Sequence, residues 1–348
     1  MAESFTLACP IPLIDRKTIV LGHGSGGRLS AQLIKDLFVP AFDNAWLRKL
    51  DDQAVVETGG ARIAFTTDSF VVTPLFFPGG DIGRLAVHGT INDLAMGGAR
   101  PLYISCAFIL EEGLAMDELA KVVYSMAEAS RQAGVPIVTG DTKVVNRGSA
   151  DKLFITTSGI GSVPAGCVIS SSAAKPGDVI IVSGSIADHG MAVMSQRENL
   201  GFETPIYSDT APLHRLVEAM MHAGEIHALR DPTRGGLAAS LSEIAVNSGV
   251  CVEAVARAVP VQEHVRAACE LLGIDPLFVA NEGKLVAFVK PSSAPAILAA
   301  MKELPEGRDA AIIGKATDHR PGMVLLKTEV GGTRIVELPF TEQLPRIC

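Results

Sequence analysis

The segment 81–97 constrains the fold more than any other part of the chain. A helix that is apolar on nearly every side cannot lie on a surface, so the pattern predicts a helix buried inside a domain. This helix also contains Asp93, and an ionised carboxylate is costly to bury unless a partner neutralises it. The segment therefore predicts a core helix and a charged group that needs a partner. Its apolar positions are Ile82, Leu85, Ala86, Val87, Ile91, Leu94 and Ala95.

Other aspartates lie at the edges of apolar segments, beside glycine, threonine, asparagine or proline. Mg²⁺ prefers oxygen ligands and commonly bridges carboxylates to substrate phosphates. A scattered set of such carboxylates therefore predicts a magnesium–nucleotide site. The alternative for each single aspartate is a helix cap or a turn former. Besides Asp93, the set comprises Asp51, Asp52, Asp68, Asp141 and Asp231.

A glycine-rich loop occupies residues 22–27, Gly-His-Gly-Ser-Gly-Gly. We expect residues 17–27 to form a short strand that runs into this loop, followed by a helix at about 29–38. Backbone N–H groups of such a loop are suited to wrapping phosphates. The loop has neither the lysine of a P-loop nor the spacing of a dinucleotide fingerprint, and the alternative is a flexible turn. The candidate phosphate-binding residues are Gly24, Ser25, Gly26 and Gly27.

Residues 139–143, Thr-Gly-Asp-Thr-Lys, follow a strand predicted at 135–139. Ligands of open α/β sheets collect at strand ends, so Asp141 and Lys143 are candidates there. Lys143 would neutralise a phosphate or a developing anion, and the alternative is a solvated lysine.

Two further motifs carry polar groups. Residues 231–236, Asp-Pro-Thr-Arg-Gly-Gly, are predicted to open a helix that Asp231 caps. The N–H groups of a helix start can bind an anion, which makes Asp231, Thr233 and Arg234 candidates, with a plain N-cap as the alternative. Glu282 precedes a predicted strand and is either a turn residue or a base.

Charge and cysteine content exclude several classes of function. The net charge is −8 and no Lys/Arg run is present, so neither nucleic acid nor an anionic membrane is expected as a partner. No apolar stretch is long enough to span a membrane, and no secretion signal is recognisable, so a cytoplasmic protein is expected. None of the six cysteines forms a CxxC pair, which argues against zinc and iron–sulfur sites. Five of them are expected to be buried in a reducing compartment.

Helices and strands mix in both halves of the 348-residue chain, which predicts an α+β protein of two domains. Proline, glycine and alanine accumulate at 162–177, where we place the boundary. The expected division is an N-terminal domain at 1–165, a C-terminal domain at 166–340 and a mobile tail at 341–348.

The tail ends in Pro345-Arg346-Ile347-Cys348. Eight extended residues span about 25 Å, enough to carry a thiol from the surface into a cleft. Pro345 would oppose a helix in this segment. The alternative is an incidental cysteine at a ragged terminus.

Seven motifs, in this order, resemble those of the HypE family of hydrogenase-maturation carbamoyl dehydratases. This family shares a superfamily with aminoimidazole ribonucleotide (AIR) synthetase and selenophosphate synthetase. The resemblance runs from about residue 17 to the last residue, and the ordered set with its terminal cysteine is far more specific than any one motif. The motifs lie at 23–27, 67–69, 92–98, 139–145, 231–237, 281–284 and 345–348.

The resemblance implies a PurM-like fold and a homodimer whose N-terminal sheets pair, with ATP sites near the interface. It implies Mg²⁺-ATP held by Asp68, Asp93, Asp141 and either Asp51 or Asp52, and it places Asn92 in the nucleotide site. The five aspartates of this set are the expected metal ligands.

The resemblance also implies a reaction. HypF would carbamoylate the Cys348 thiol, ATP-dependent dehydration would give a thiocyanate, and cyanide would pass to iron on a HypC–HypD complex. Cys348 would be the covalent carrier, and Lys143 and Glu282 would stabilise charge and remove a proton. A carboxylate with that role should have a pKa raised by burial. Two rivals remain: a superfamily synthetase that does not need Cys348, and a dimeric scaffold whose tail only docks a partner.

Overall fold

The computed structural model describes residues 18–24, 26–202, 204–338 and 347. Within this part of the chain, two α+β units follow one another, each built on one large sheet. The strands are β1 (Ala54–Thr58), β2 (Ala61–Phe70), β3 (Phe76–Phe77), β4 (Gly80–Asp81), β5 (Arg100–Glu111), β6 (Ile137–Val145), β7 (Leu153–Ser162), β8 (Val179–Val182), β9 (Ile226–Arg230), β10 (Cys251–Val255), β11 (Val286–Val289), β12 (Ala311–Thr317), β13 (Val324–Lys327) and β14 (Thr333–Ile335). The helices are α1 (Arg28–Leu33), α2 (Val39–Phe42), α3 (Ile82–Met96), α4 (Met116–Ala133), α5 (Asp188–Arg197), α6 (His214–Ala223), α7 (Gly236–Ser248), α8 (Glu263–Leu272) and α9 (Ala294–Lys302).

The N-terminal sheet has the order β1-β2-β7-β5-β6. Helix α3 packs against its central strands and against α4. The Asp81 carboxylate caps α3 by accepting hydrogen bonds from the N–H groups of Gly83 and Arg84. Every residue of α3 is buried except Arg84 and Asp93, which confirms the predicted core helix.

The C-terminal sheet has the order β14-β13-β10-β12-β8-β11-β9. Strand β8, Val-Ile-Ile-Val, is apolar at every position, as expected for a strand covered on both faces. Ile180 belongs to the cluster that α7 closes, whereas Ile181 belongs to the cluster that α6 and α9 close. Helices therefore cover both faces, and the prediction of two α+β domains is confirmed.

Two local predictions about the first half are wrong. No strand forms at residues 18–24, because His23 Nδ1 accepts a hydrogen bond from the Val20 N–H at 3.0 Å and a 3₁₀ turn covers Leu21–Gly24. Strand β6 does not end near residue 139 but continues to Val145 along β5, so Asp141 and Lys143 lie inside a strand.

The 231–236 motif also differs from its prediction. Asp231 follows β9 directly, and α7 begins at Gly236 after the N-cap Gly235. The Thr233 N–H closes a tight turn onto the Asp231 carbonyl. Asp231 therefore lies at the end of a strand that the sequence pattern did not predict, and it does not cap a helix.

Candidate active site

A cavity of about 330 Å³ lies where the two units meet. Its walls come from the glycine loop, β2, α3, the end of β9 and the segment before β11. Its lining combines carboxylates and cations with glycine backbone. The lining residues that bear charge or belong to the predicted motifs are His23, Gly24, Gly26, Asp52, Thr67, Asp68, Ser69, Asp93, Arg230, Asp231, Thr233, Arg234, Glu243 and Glu282.

Three carboxylates converge in this cavity. One oxygen each from Asp52, Asp93 and Asp231 lies within 4.8 Å of the others. The Thr66 hydroxyl donates to Asp93 Oδ2 at 2.8 Å, and Arg230 Nε lies 3.3 Å from Asp52 Oδ1. Three elements distant in sequence thus supply an all-oxygen donor set, which fits a hard divalent cation such as Mg²⁺.

Burial and mutual repulsion change the acidity of this cluster. Burial raises the pKa of Asp52 to about 8, and the Arg230 guanidinium opposes that rise only in part. Burial likewise raises the pKa of Asp231 to about 6, and that of Asp93 well above its ordinary value, where Asp231, Asp68 and Asp52 add repulsion. Three carboxylates this close need either protons or a cation.

The stabilisation by Mg²⁺ is therefore expected to grow with pH. Because folding raises the pKa values of Asp52 and Asp231, their contribution to the stability of the cation-free protein is present below about pH 4. That contribution is lost as the pH rises through about 6 and about 8. Mg²⁺ binds the ionised cluster and offsets the loss. The increase in Tm with Mg²⁺ should be at least about 2 °C larger at pH 8 than at pH 6, measured by calorimetry. An equal increase at both pH values would contradict cation binding here.

Glu282 forms a second acidic feature of the cavity. Its side chain is 3% exposed, and its Oε1 has no hydrogen-bond partner within the described part of the chain. Its backbone is fixed, since its N–H donates to Asp209 Oδ1 at 3.1 Å. Burial raises its pKa well above the ordinary value, with Asp231 and Asp68 adding to the rise and Arg234 opposing it. The expected raised pKa is thus present, and this carboxyl group can hold a proton inside the cavity.

The glycine loop lies against the segment that follows β9. Gly26 has φ +75°, and a Cβ there would come within 2.8 Å of the Arg234 Cβ and carbonyl oxygen. Only glycine permits this approach, which brings loop backbone and the Arg234 side chain to one cavity. Gly27 is the N-cap of α1 and does not line the cavity, and Ser25 lies outside the described residues.

Two predicted ligands have other partners. The Asp51 carboxylate accepts hydrogen bonds from the Ser170 and Ser171 hydroxyls and the Ser171 N–H, at 2.8–3.0 Å. Of the two adjacent aspartates, Asp52 is therefore the one that faces the cavity. The Asn92 amide accepts from the Leu213 N–H and donates to the carbonyls of Ala211 and Glu282, so it joins α3 to the second unit.

Comparison with known proteins shows which family this chain belongs to. The profile of the AIR synthase related protein N-terminal domain matches residues 50–163, and that of the C-terminal domain matches residues 175–326. The carbamoyl dehydratase HypE of Cupriavidus necator is 55% identical over 351 residues, covering 100% of both chains. The chain belongs to the HypE family of carbamoyl dehydratases.

Solved HypE structures share this fold. A crystal structure of hydrogenase maturation protein HypE in complex with ATP matches with a TM-score of 0.81 and 52% identity, covering 95% of this chain and 100% of that one. The HypE chain matched in a HypE–HypF complex gives a TM-score of 0.84 and 52% identity, covering 88% and 99%.

The HypE motif at 139–145 lies away from the cavity of its own chain. Asp141 and Lys143 form an exposed ion pair at 2.8 Å on the edge strand β6, and the Lys143 hydrogen bond lowers the pKa of Asp141. Asp141 shares a cross-strand row with Ala107, Thr156 and the cavity-lining Ser69. Three strand spacings separate Ser69 from Asp141, about 14 Å. One chain alone therefore does not bring Asp141 or Lys143 to its nucleotide cavity.

Sequence reasoning missed two charged residues of this HypE-type site. Arg230 Nη2 lies 2.6 Å from Glu243 Oε2, while Arg230 Nε faces Asp52. Arg230 ends the unpredicted strand β9, and Glu243 lies within α7, between Ser242 and Ile244. Neither residue belongs to a recognisable motif. A prediction of strand β9 would have marked Arg230 as a candidate, because it lies at the end of that strand.

The described cysteines are poor nucleophiles. Cys106, Cys251 and Cys269 are buried and Cys167 is half-buried, all as free thiols. Burial raises the pKa of Cys106 to about 11 and that of Cys269 to about 12, and the thiolate is the reactive form. None of these four lines the cavity. Cys348, the predicted carrier, lies outside the described residues.

No helix among those described combines the length and apolarity needed to cross a membrane.

Proposed function

We propose that this HypE-family chain uses ATP to dehydrate an S-carboxamide on Cys348 to a thiocyanate, the source of cyanide ligands for the iron of NiFe hydrogenase. One observation carries the proposal: a three-carboxylate cluster and the buried Glu282 line the same cavity. The first is suited to a nucleotide-bound cation and the second to moving a proton. The ATP-bound HypE structure with the same fold supports the choice of nucleotide.

The chemistry proceeds in two balanced steps. The carboxamide oxygen attacks the γ-phosphorus of ATP, ADP leaves, and the amide nitrogen loses one proton, which gives an iminophosphate. The carbon–oxygen bond then breaks, phosphate departs, and the remaining N–H proton is removed as the carbon–nitrogen triple bond forms. Phosphorylation is needed because an amide oxygen is otherwise a poor leaving group.

Each part of the cavity has a role in these steps. Asp52, Asp93 and Asp231 would hold Mg²⁺, with Asp68 beside them, and the cation would neutralise phosphate charge. Gly24 and Gly26 would offer backbone N–H groups to phosphate, and Thr233 and Arg234 would complete the nucleotide contacts. Glu282 would accept the N–H proton, because its burial raises its basicity once it is ionised.

We propose HypF as the carbamoyl donor, supported by the HypE–HypF structure that this chain resembles. The HypC–HypD complex would receive the cyanide. A reducing cytoplasm suits this chemistry, since the four described cysteines are all free thiols.

We further propose a homodimer formed through the N-terminal sheet. On the face away from α3, Phe65 pairs with Ile160, and Ile160 pairs with Tyr103. These three side chains remain 36–47% exposed in the single chain. Asp141 and Lys143 belong to the same face, so a partner sheet packed against it would bring them toward a neighbouring cavity.

A charge on this face should therefore dissociate the dimer. Ile160→Glu is expected to raise the dimer dissociation constant at least about 100-fold, because it buries an unpaired carboxylate at an apolar contact. Analytical ultracentrifugation measures this. Val330→Glu is the matched control, because Val330 is 95% exposed in the other domain. Unchanged association of Ile160→Glu would exclude this face as the interface.

The proposed function is tested by phosphate release. The chain is carbamoylated with HypF and carbamoyl phosphate, HypF is removed, and Mg²⁺-ATP is added in a rapid mixer. We expect a burst of about one phosphate per carbamoylated chain, absent in Cys348→Ala and unchanged in Cys167→Ala. A burst that persists in Cys348→Ala would support the synthetase rival, and no hydrolysis in any variant would support the scaffold.

A further inference from the structure

The motif at 281–284, Asn-Glu-Gly-Lys, brings Glu282 into the nucleotide cavity, yet Gly283 and Lys284 have no part in the steps above. Of the four residues, Glu282 alone lines the cavity. Its Oε1 has no hydrogen-bond partner within the described part of the chain. Because no hydrogen bond directs this oxygen, the backbone that carries the side chain has to aim it. The contacts that fix this backbone therefore decide where the proposed base lies.

The loop at 208–211 makes these contacts. The Glu282 N–H donates to Asp209 Oδ1 at 3.1 Å, and the Glu282 carbonyl accepts from the Ala211 N–H at 3.4 Å. Gly283 lies so close to the loop that a Cβ there would overlap the Asp209 carbonyl oxygen. Any other residue at this position would push the two segments apart. The backbone of the proposed base is thus bound to one loop, and the Asp209 carboxylate is part of that attachment.

The Asp209 carboxylate is held in turn by Lys284. The Lys284 Nζ lies 3.3 Å from Asp209 Oδ2, and the two side chains are only 13% and 4% exposed. The contact is ionic, since within the described residues Oδ2 accepts no directed hydrogen bond. Lys284 Nζ also donates to the Gly283 carbonyl at 3.2 Å, and its stem runs over Gly184, where a Cβ would lie 3.1 Å from Lys284 Cε. One oxygen of Asp209 therefore faces the Glu282 N–H, and the other faces a buried cation.

Asp209 depends on this cation to keep its charge and its place. A buried ion pair adds little net stability to a fold, but removing one partner leaves a charge without compensation. A second acidic group lies near the pair: burial and Asp209 raise the pKa of Asp188 to about 7, and Lys284 opposes the rise. Without Lys284, Asp209 would lose the cation that faces it and would shift or take up a proton. Either response changes the acceptor that holds the Glu282 N–H.

We propose that the Asp209–Lys284 ion pair positions Glu282 for removal of the N–H proton from the substrate. Asp209 holds the Glu282 backbone, and Lys284 holds the Asp209 carboxylate. Both are positioning residues, since neither lines the cavity. The inference rests on the proposed function, because it concerns the base of the same reaction.

The first variant is Lys284→Met, which removes the cation and keeps an unbranched stem. The protein is carbamoylated on Cys348 with HypF, HypF is removed, and single-turnover dehydration with Mg²⁺-ATP is followed by mass spectrometry. We expect dehydration to be about 10- to 100-fold slower than in the parent protein. The ATP concentration at half-maximal rate should stay within about twofold of the parent value, because the nucleotide contacts are unchanged. Lys290→Met is the matched control at the parent rate, since it breaks an exposed ion pair with Glu225 just after β11.

A double-mutant cycle shows whether the ion pair acts through Glu282. The base is absent in the Glu282→Gln background, so adding Lys284→Met there should slow dehydration by less than about twofold. A general loss of folding would instead slow both backgrounds equally. A loss in the Glu282→Gln background as large as that in the parent background would therefore overturn the proposal.

The double variant Asp209→Asn/Lys284→Met keeps the test decisive if Lys284→Met alone fails to fold. It leaves no unpaired buried charge, so its Tm should lie within about 3 °C of the parent value. Its dehydration should still be about 10- to 100-fold slower. Dehydration at the parent rate by this folded double variant would overturn the proposal. Failure of the parent protein to dehydrate would instead remove the proposed function.

Discussion

Asp93→Asn should lose the response to Mg²⁺ and slow dehydration at least about 100-fold, because it removes one of three converging carboxylates while keeping the side-chain shape. Asparagine can still accept the Thr66 hydrogen bond, so the fold of α3 should persist. The measurements are the Mg²⁺-ATP-dependent rise in Tm and the single-turnover rate of thiocyanate formation.

Asp51→Asn is the matched control for Asp93→Asn. It makes the same change of charge one residue from Asp52, but at a carboxylate bonded to Ser170 and Ser171 outside the cavity. We expect a lower Tm for Asp51→Asn and a normal response to Mg²⁺-ATP. An equal loss of the response in both variants would show that general destabilisation, not the cation site, explains the effect.

Glu282→Gln should separate nucleotide binding from proton removal. The substitution keeps the shape and buried position but removes the base, so dehydration should slow by about 10²- to 10⁴-fold. Binding of Mg²⁺-ATP should persist, and the carbamoylated protein should accumulate. Quenched mass spectra and an ATP-induced rise in Tm measure the two effects separately.

The stability of Glu282→Gln provides an internal check. Burial raises the pKa of Glu282, so ionising it costs stability as the pH rises through its folded-state pKa. A neutral glutamine avoids that cost, and the variant should gain Tm relative to the parent protein as the pH increases. If the Glu282→Gln variant dehydrates its carboxamide at the parent rate, Glu282 is not the base in the mechanism.

Sequence reasoning identifies those parts of the site that are marked by a pattern within one short segment of the chain. The all-round apolar pattern of 81–97 predicted a buried helix, and Asp93 was recognised because a carboxylate is out of place there. Gly24, Gly26 and the 231–234 motif also carry local signals, and the structure brings them to one cavity.

What the sequence missed depends on contacts between distant segments. The choice between Asp51 and Asp52 is made by Ser170 and Ser171, which lie between β7 and β8, far from the aspartates in sequence. The sequence pattern predicts Asp231 at a helix start because it does not reveal β9, which is only five residues long. Lys143 was expected at a strand end, but pairing with β5 extends β6 past it.

The most direct measurement is the intact mass of the protein after incubation with HypF, carbamoyl phosphate and Mg²⁺-ATP, beside Cys348→Ala. The account predicts that the parent protein gains one carbamoyl group and then loses one water as ATP is consumed, and that Cys348→Ala gains neither change. An unmodified Cys348 in the presence of active HypF would contradict the account and leave a superfamily ATPase of another substrate.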